Sequence, residues 1–251
     1  MIGFLTIAAL VFTANSASLN SFTPRIIGGS AVSSIEDVPY QVSVRLNDQH
    51  HCGGIIISKN YVLTAAACLI SGALNQYTIR AGSLINKYGG TLHQISRIII
   101  HEQFYINNLN VPVNDIALIQ VISPFIFDGS RDAVPLVEQP IRVGSVARIS
   151  GWGWMNSTFP LQLRRASVQV IDTRICNNRY EGNIPPNQIC AYARGQDACQ
   201  ADSGGPLVVG LRLAGIISWG KGCALENYPG VYTDVYAYRN WITSYTGVLS
   251  Q

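Results

Sequence analysis

From Pro39 onward the chain is a series of short runs of apolar or alternating residues separated by turn clusters. The runs read YQVSVRL, HCGGIIIS, YVLTAA, YTIRAG, QISRIII, DIALIQV, VARISGWGW, ASVQVID, LVVGLRLAGIISWG and GVYTDV. They are rich in Val, Ile, Thr and Tyr and bounded by Gly, Asn, Asp and Ser, the pattern of β-strands. No long helical period lies between them, so the pattern predicts an all-β barrel or sandwich. Tyr236 to Tyr245 places apolar residues near helical spacing and predicts one closing C-terminal helix.

The N-terminus differs. Residues 2–12 form an apolar core followed by small residues, which reads as a secretory signal peptide over 1–17, cut near Ser16 to Ser18. The apolar part is short for a bilayer span, and no later stretch reaches membrane length, so no membrane partner is expected. Residues 18–25, SLNSFTPR, are a short polar segment ending in Arg25.

At 251 residues, with 48% apolar and 12% charged residues, the remainder can bury a sizeable core; disorder is excluded. The net charge is +3, and no run of Lys or Arg exceeds the pair Arg164-Arg165, so no nucleic-acid footprint is visible. Six cysteines, Cys52, Cys68, Cys176, Cys190, Cys199 and Cys223, leave fifteen disulfide pairings open by arithmetic. Their spacings are wide and contain no C-x-x-C pair, which tells against zinc.

The chemistry concentrates in Asp197 to Leu207, DACQADSGGPL. Ser203 stands among Gly204, Gly205 and Asp202, where a permissive backbone can present a hydroxyl and several amide N–H groups to one substrate atom. This run resembles the active-site loop of the trypsin-like, chymotrypsin-fold serine proteases, and the likeness extends from Arg25 to the C-terminus. The resemblance implies two antiparallel six-stranded β-barrels with a cleft between them, in one domain over 26–251, acting as a monomer without metal or other cofactor. It selects the pairs Cys52 with Cys68, Cys176 with Cys190, and Cys199 with Cys223.

By the same resemblance Arg25 is an activation site for another trypsin-like protease. Cleavage there frees the Ile26 ammonium to pair with the buried Asp202, a carboxylate that would otherwise carry a desolvation cost of several kcal/mol. Asp115, in the run NDIAL, matches the acid that orients the catalytic histidine. Asp197 matches the acid of a pocket for Arg or Lys side chains, a strong recognition element for a guanidinium fork. Ser218, Trp219, Gly220 and Gly230 match the pocket walls, and Tyr180 a supporting tyrosine. Lys221, beside Gly220, is placed where folding toward Asp197 would neutralise the pocket. Asn156-Ser157-Thr158 is an N-glycosylation sequon. The family's calcium loop does not carry over, because no Asp or Glu lies between Ala81 and Leu92.

Two positions depart from the family. Where it reads T-A-A-H-C, this chain reads Thr64-Ala65-Ala66-Ala67-Cys68, so a methyl replaces the imidazole that takes the proton from Ser203. Ala201 replaces the glycine whose N–H, with that of Ser203, forms the oxyanion hole; a Cβ disfavours positive φ and tells against keeping that N–H in place. By resemblance His50 and His51 line the cleft on the leaving-group side, while His93 and His101 lie on outer loops. The sequence therefore points to a secreted protease homologue that binds Arg- or Lys-bearing protein segments with little or no peptidase activity. The alternative is an active trypsin-like endopeptidase with a compensated base.

Overall fold

The computed structural model describes residues 29–153, 161–199, 201–223 and 225–248. The expected signal peptide and propeptide, with Arg25 and Ile26, and the sequon residue Asn156 lie outside the described residues.

Six strands close the first barrel: β1 (Gln41–Leu46), β2 (Gln49–Ile56), β3 (Tyr61–Thr64), β4 (Tyr77–Ala81), β5 (Thr91–Ile100) and β6 (Ala117–Val121). Six more close the second: β7 (Val146–Gly151), β8 (Arg164–Ile171), β9 (Gln188–Tyr192), β10 (Pro206–Val209), β11 (Arg212–Trp219) and β12 (Gly230–Asp234). Neighbours run β1-β2-β3-β6-β5-β4 around the first and β8-β7-β10-β11-β12-β9 around the second, with β9 returning to β8. Counted from its own first strand, the second barrel has the same ring order as the first. The fold is thus two antiparallel six-stranded barrels, with a two-residue strand, Ser30–Ala31, added to β8.

Side-chain alternation explains which faces meet. On β5, buried and exposed residues largely alternate, as for a wall with one face in water. On β1 almost everything is buried. Val42 and Val44 enter the first core, while the alternate residues serve polar contacts: Ser150 Oγ donates to Gln41 Oε1 at 2.7 Å, and Ser43 Oγ lies 2.7 Å from His50 Nδ1. The turn joining β1 and β2 is Asn47-Asp48, both at positive φ (49° and 61°), a hairpin conformation that these residue types tolerate.

Four elements differ from the sequence expectation. The run at 207–220 is two strands, because Gly210 (φ 60°) and the exposed Leu211 turn the chain between β10 and β11. Strand β9 and helix α1 (Thr173–Arg179) were not signalled by periodicity; α1 is capped by Asp172, whose Oδ1 accepts from Arg174 N at 2.7 Å. Helix α2 (Arg239–Thr246) begins later than expected and ends on the left-handed Gly247 (φ 65°). Its Ile242 is fully buried in the first barrel's cluster, and Trp241 Nε1 donates to Glu102 Oε2 at 2.9 Å, so the C-terminus clasps the first barrel.

Disulfides join Cys52 to Cys68, Cys176 to Cys190 and Cys199 to Cys223, spanning 16, 14 and 24 residues. Loops of this size each withdraw about 3 kcal/mol of chain entropy from the unfolded state. Two of them bracket the site: Cys68 follows Ala67, and Cys199 precedes Ser203.

Candidate active site

Ser203 sits where the barrels touch. Gly53 N, on β2, donates to Ser203 O at 2.9 Å, and Thr64 Oγ1, on β3, donates to Gly53 O at 2.8 Å. A Cβ on Gly204 (φ 82°) would lie 2.1 Å from Thr64 Oγ1 and 2.5 Å from Gly53 O, so only glycine lets the loop press this close. The serine hydroxyl donates to the main-chain carbonyl of Ser218 at 3.3 Å.

Asp202, beside it, is fully buried and accepts from Gly153 N at 2.7 Å and Cys199 N at 2.9 Å. Its socket exists because Gly151 and Gly153 lack side chains: a Cβ on either would fall 1.9 or 2.1 Å from a carboxylate oxygen. Burial pushes its pKa up to about 7 against the two amide donors. Among the described residues no cation pairs with it.

Ala201 holds φ 66°, so the left-handed conformation persists despite its Cβ, at a cost of about 1 kcal/mol. The expectation that the methyl would displace this backbone is corrected: φ stays positive with the Cβ present. Ala201 O lies 3.2 Å from His50 Nε2. Among the described residues neither the Ala201 nor the Ser203 amide N–H meets an acceptor.

His50 therefore does not line the cleft. It is buried behind the loop, edge-on to Trp152 at 5.4 Å, and desolvation lowers its pKa to about 4. His51 is half-buried near Tyr77, and burial lowers its pKa as well. His93 is likewise not on an outer loop: it is buried within β5, 4.5 Å from the Phe125 ring and bonded to Ser123 O. His101 packs between Tyr238 and Trp241.

Asp115 is fully buried. Its Oδ1 accepts from Ala67 N at 2.9 Å and its Oδ2 from Ser218 Oγ at 2.6 Å. Burial raises its pKa, and these donors counter part of the rise. Residue 67 thus meets the carboxylate through its backbone alone, since its side chain is a methyl.

A cavity of about 200 Å³ adjoins the serine, lined by Asp197, Ser203, Ser218, Trp219, Gly220 and Gly230, among others. Asp197 is buried, and Ala198 N donates to its Oδ1 at 2.8 Å. A Cβ on Gly230 would stand 2.9 Å from that same oxygen, so the glycine makes room for the acid. Trp219 is fixed by Nε1 donating to Gln188 Oε1 at 2.9 Å. Tyr180 stands behind the wall, its ring 4.9 Å from that of Trp219 and its hydroxyl donating to Pro229 O at 2.6 Å. Lys221 does not fold toward Asp197; its ammonium lies 4.5 Å above the Tyr228 ring.

Tyr232, which the sequence reading passed over, also lines the cavity with a buried hydroxyl. The signal was available: on β12, residues 230 and 232 share a face by alternation, so the wall glycine implied the tyrosine.

A serine at the junction of twin six-stranded barrels, beside an acid-bearing cavity, defines the scaffold of a chymotrypsin-fold serine protease. Comparison with known proteins agrees. The family model described as Trypsin matches residues 26–242, and the chain belongs to that family. It is 41% identical to trypsin delta of Drosophila melanogaster over 242 residues, covering 94% of each chain. It is also 41% identical to hypodermin-A of Hypoderma lineatum over 226 residues, 88% of this chain and 87% of the relative. Among solved structures it resembles neuropsin, a serine protease expressed in the limbic system of mouse brain, with a TM-score of 0.80 and 31% identity over 86% of this chain and 98% of that one.

Proposed function

We propose that this protein is a secreted, trypsin-like serine protease homologue that binds Arg- or Lys-bearing protein segments through Asp197 and has lost all or nearly all peptide hydrolysis. It acts as a decoy, adaptor or regulator of active proteases. The observation that carries this reading is the hydrogen bond from Ser203 Oγ to the Ser218 carbonyl, with Ala67 offering Asp115 only a backbone N–H. A main-chain carbonyl is too weak a base to take the serine proton. Asp115, held by Ala67 N and Ser218 Oγ, serves as a structural carboxylate at the barrel junction. Without a base in reach a serine hydroxyl is a poor nucleophile, and removing the base alone costs on the order of a millionfold in turnover in a convergent protease.

Recognition outlasts the chemistry. The cavity, its buried acid and the glycine that accommodates it are all in place, and a guanidinium fork suits a carboxylate there. Secretion is supported by the leader-like residues 1–17 and by the three disulfides. Clipping after Arg25 would supply the Ile26 ammonium as the counter-ion that Asp202 lacks among the described residues.

A second reading, an active endopeptidase, is favoured by the left-handed Ala201 and by the Ala201 and Ser203 amides, which meet no acceptor among the described residues and so could serve an oxyanion. The purified chain, clipped after Arg25, is assayed on an Arg-amide substrate beside a Ser203→Ala variant. Equal, background-level rates are expected. Turnover that disappears in Ser203→Ala establishes the active enzyme instead. Ala67→His, alone and with Ala201→Gly, is expected to raise turnover by at least about a hundredfold, the scale of a positioned general base.

A further inference from the structure

A second cavity, of about 490 Å³, shares no lining residue with the one that holds Asp197. It is lined by Ser30, Arg148, Arg165, Ser167 and Gln196, with Gly29 and Ala166 completing the wall. Strand register explains the cluster. Ser30 pairs directly with Arg165, and Arg148 directly with Ser167, across three adjacent strands. Since alternate residues share a face, the two arginines and both serines project on one side of the sheet, with the guanidinium groups at diagonal positions.

Like charges so placed repel. Among the described residues one carboxylate forms an ion pair with them: Asp37 Oδ2 lies 3.3 Å from Arg165 Nη1. Arg148 and Arg165 both act on the Tyr40 hydroxyl, countering part of the rise that burial imposes on its pKa. Gln196 Oε1 accepts from Ser167 N at 3.1 Å, which leaves the side-chain NH₂ as a donor. Apart from Asp37, the side chains gathered here offer donors: two guanidinium groups, two hydroxyls and an amide.

We propose that this cavity binds a tetrahedral oxyanion, the sulfate or phosphate ester group of a ligand, held between Arg148 and Arg165. Guanidinium forks match such oxygens two at a time, and the anion relieves the repulsion between the forks. The volume exceeds by an order of magnitude the roughly 30 Å³ share of one water, so the group carrying the ester has room as well. The site is independent of Ser203 and holds whether or not the protein hydrolyses peptides.

The test uses the purified full chain and calorimetric titration with sodium sulfate and with sodium phosphate at constant ionic strength. Saturable binding is expected, weakened about tenfold or more in the Arg148→Gln/Arg165→Gln double variant, the scale of lost charge-assisted hydrogen bonds. Benzamidine binding at Asp197 should stay within twofold, which shows that the variant is folded. Arg148→Lys/Arg165→Lys, which keeps charge and loses the forks, should fall between the two. Later elution from an immobilised sulfated polysaccharide than from phosphocellulose assigns a sulfate ester, and the reverse order a phosphate ester. Absence of saturable binding to both salts, or a double variant that binds like the parent, overturns the proposal.

Discussion

Gly230→Ala tests whether Asp197 is a recognition acid. The added Cβ would stand 2.9 Å from Asp197 Oδ1 and 2.9 Å from the Tyr232 hydroxyl oxygen, both buried. Ordinary contact begins near 3.4 Å, so each neighbour must give by about 0.5 Å. The carboxylate cannot yield freely, because Ala198 N holds the same oxygen at 2.8 Å. Severing a buried ion pair costs 3–5 kcal/mol, and partial misplacement of a guanidinium about 2–3 kcal/mol. At 1.4 kcal/mol per decade this is roughly a 30- to 150-fold rise in Kd. The assay follows quenching of Trp219, which lines the cavity, during titration with benzamidine, with melting temperature as the control. A Kd within threefold of the parent's, at an unchanged melting temperature, would refute Asp197 as the recognition acid.

Two other perturbations probe the scaffold. Asp202 has its pKa raised from 3.8 to about 7, so the folded state binds its proton more tightly than the unfolded chain does. Its contribution to stability is therefore greatest below pH 4 and declines as pH rises toward 7, by about 4 kcal/mol at 1.36 kcal/mol per unit. Denaturant titrations of the unclipped parent and of Asp202→Asn should differ by this slope, and parallel pH profiles would contradict it. Gly204→Ala, with a Cβ 2.5 Å from Gly53 O at φ 82°, should destabilise the protein by more than about 3 kcal/mol or prevent folding. A melting temperature within two or three degrees of the parent's would count against a tight barrel junction.

Much of the barrel was legible because a strand's identity is local. Val, Ile and Tyr in alternating runs mark YTIRAG and GVYTDV without reference to any partner. The sequence was less informative where the signal is short or non-local. QICAY, which becomes β9, follows Pro185-Pro186 and is too brief for its period to show, yet it closes the second barrel by pairing with both β8 and β12. The fifteen disulfide pairings could not be sorted by spacing, since each bridge depends on which strands become neighbours. His50 and His93 were misplaced for the same reason: a histidine's burial depends on what lies across the sheet from it.

Residue identity alone determined what this protein has to work with: a methyl at 67, a methyl at 201, and carboxylates at 115, 197 and 202. The tertiary structure decided what each of them meets. Packing the two barrels together turned Ser203 Oγ toward a carbonyl, gave Asp115 to backbone and serine donors, and set the carbonyl of the left-handed Ala201 beside a histidine 151 positions away in sequence. Side-chain chemistry is carried by each residue separately. Burial, and with it the strength of every charge and hydrogen bond at the site, exists only after distant strands have closed around it.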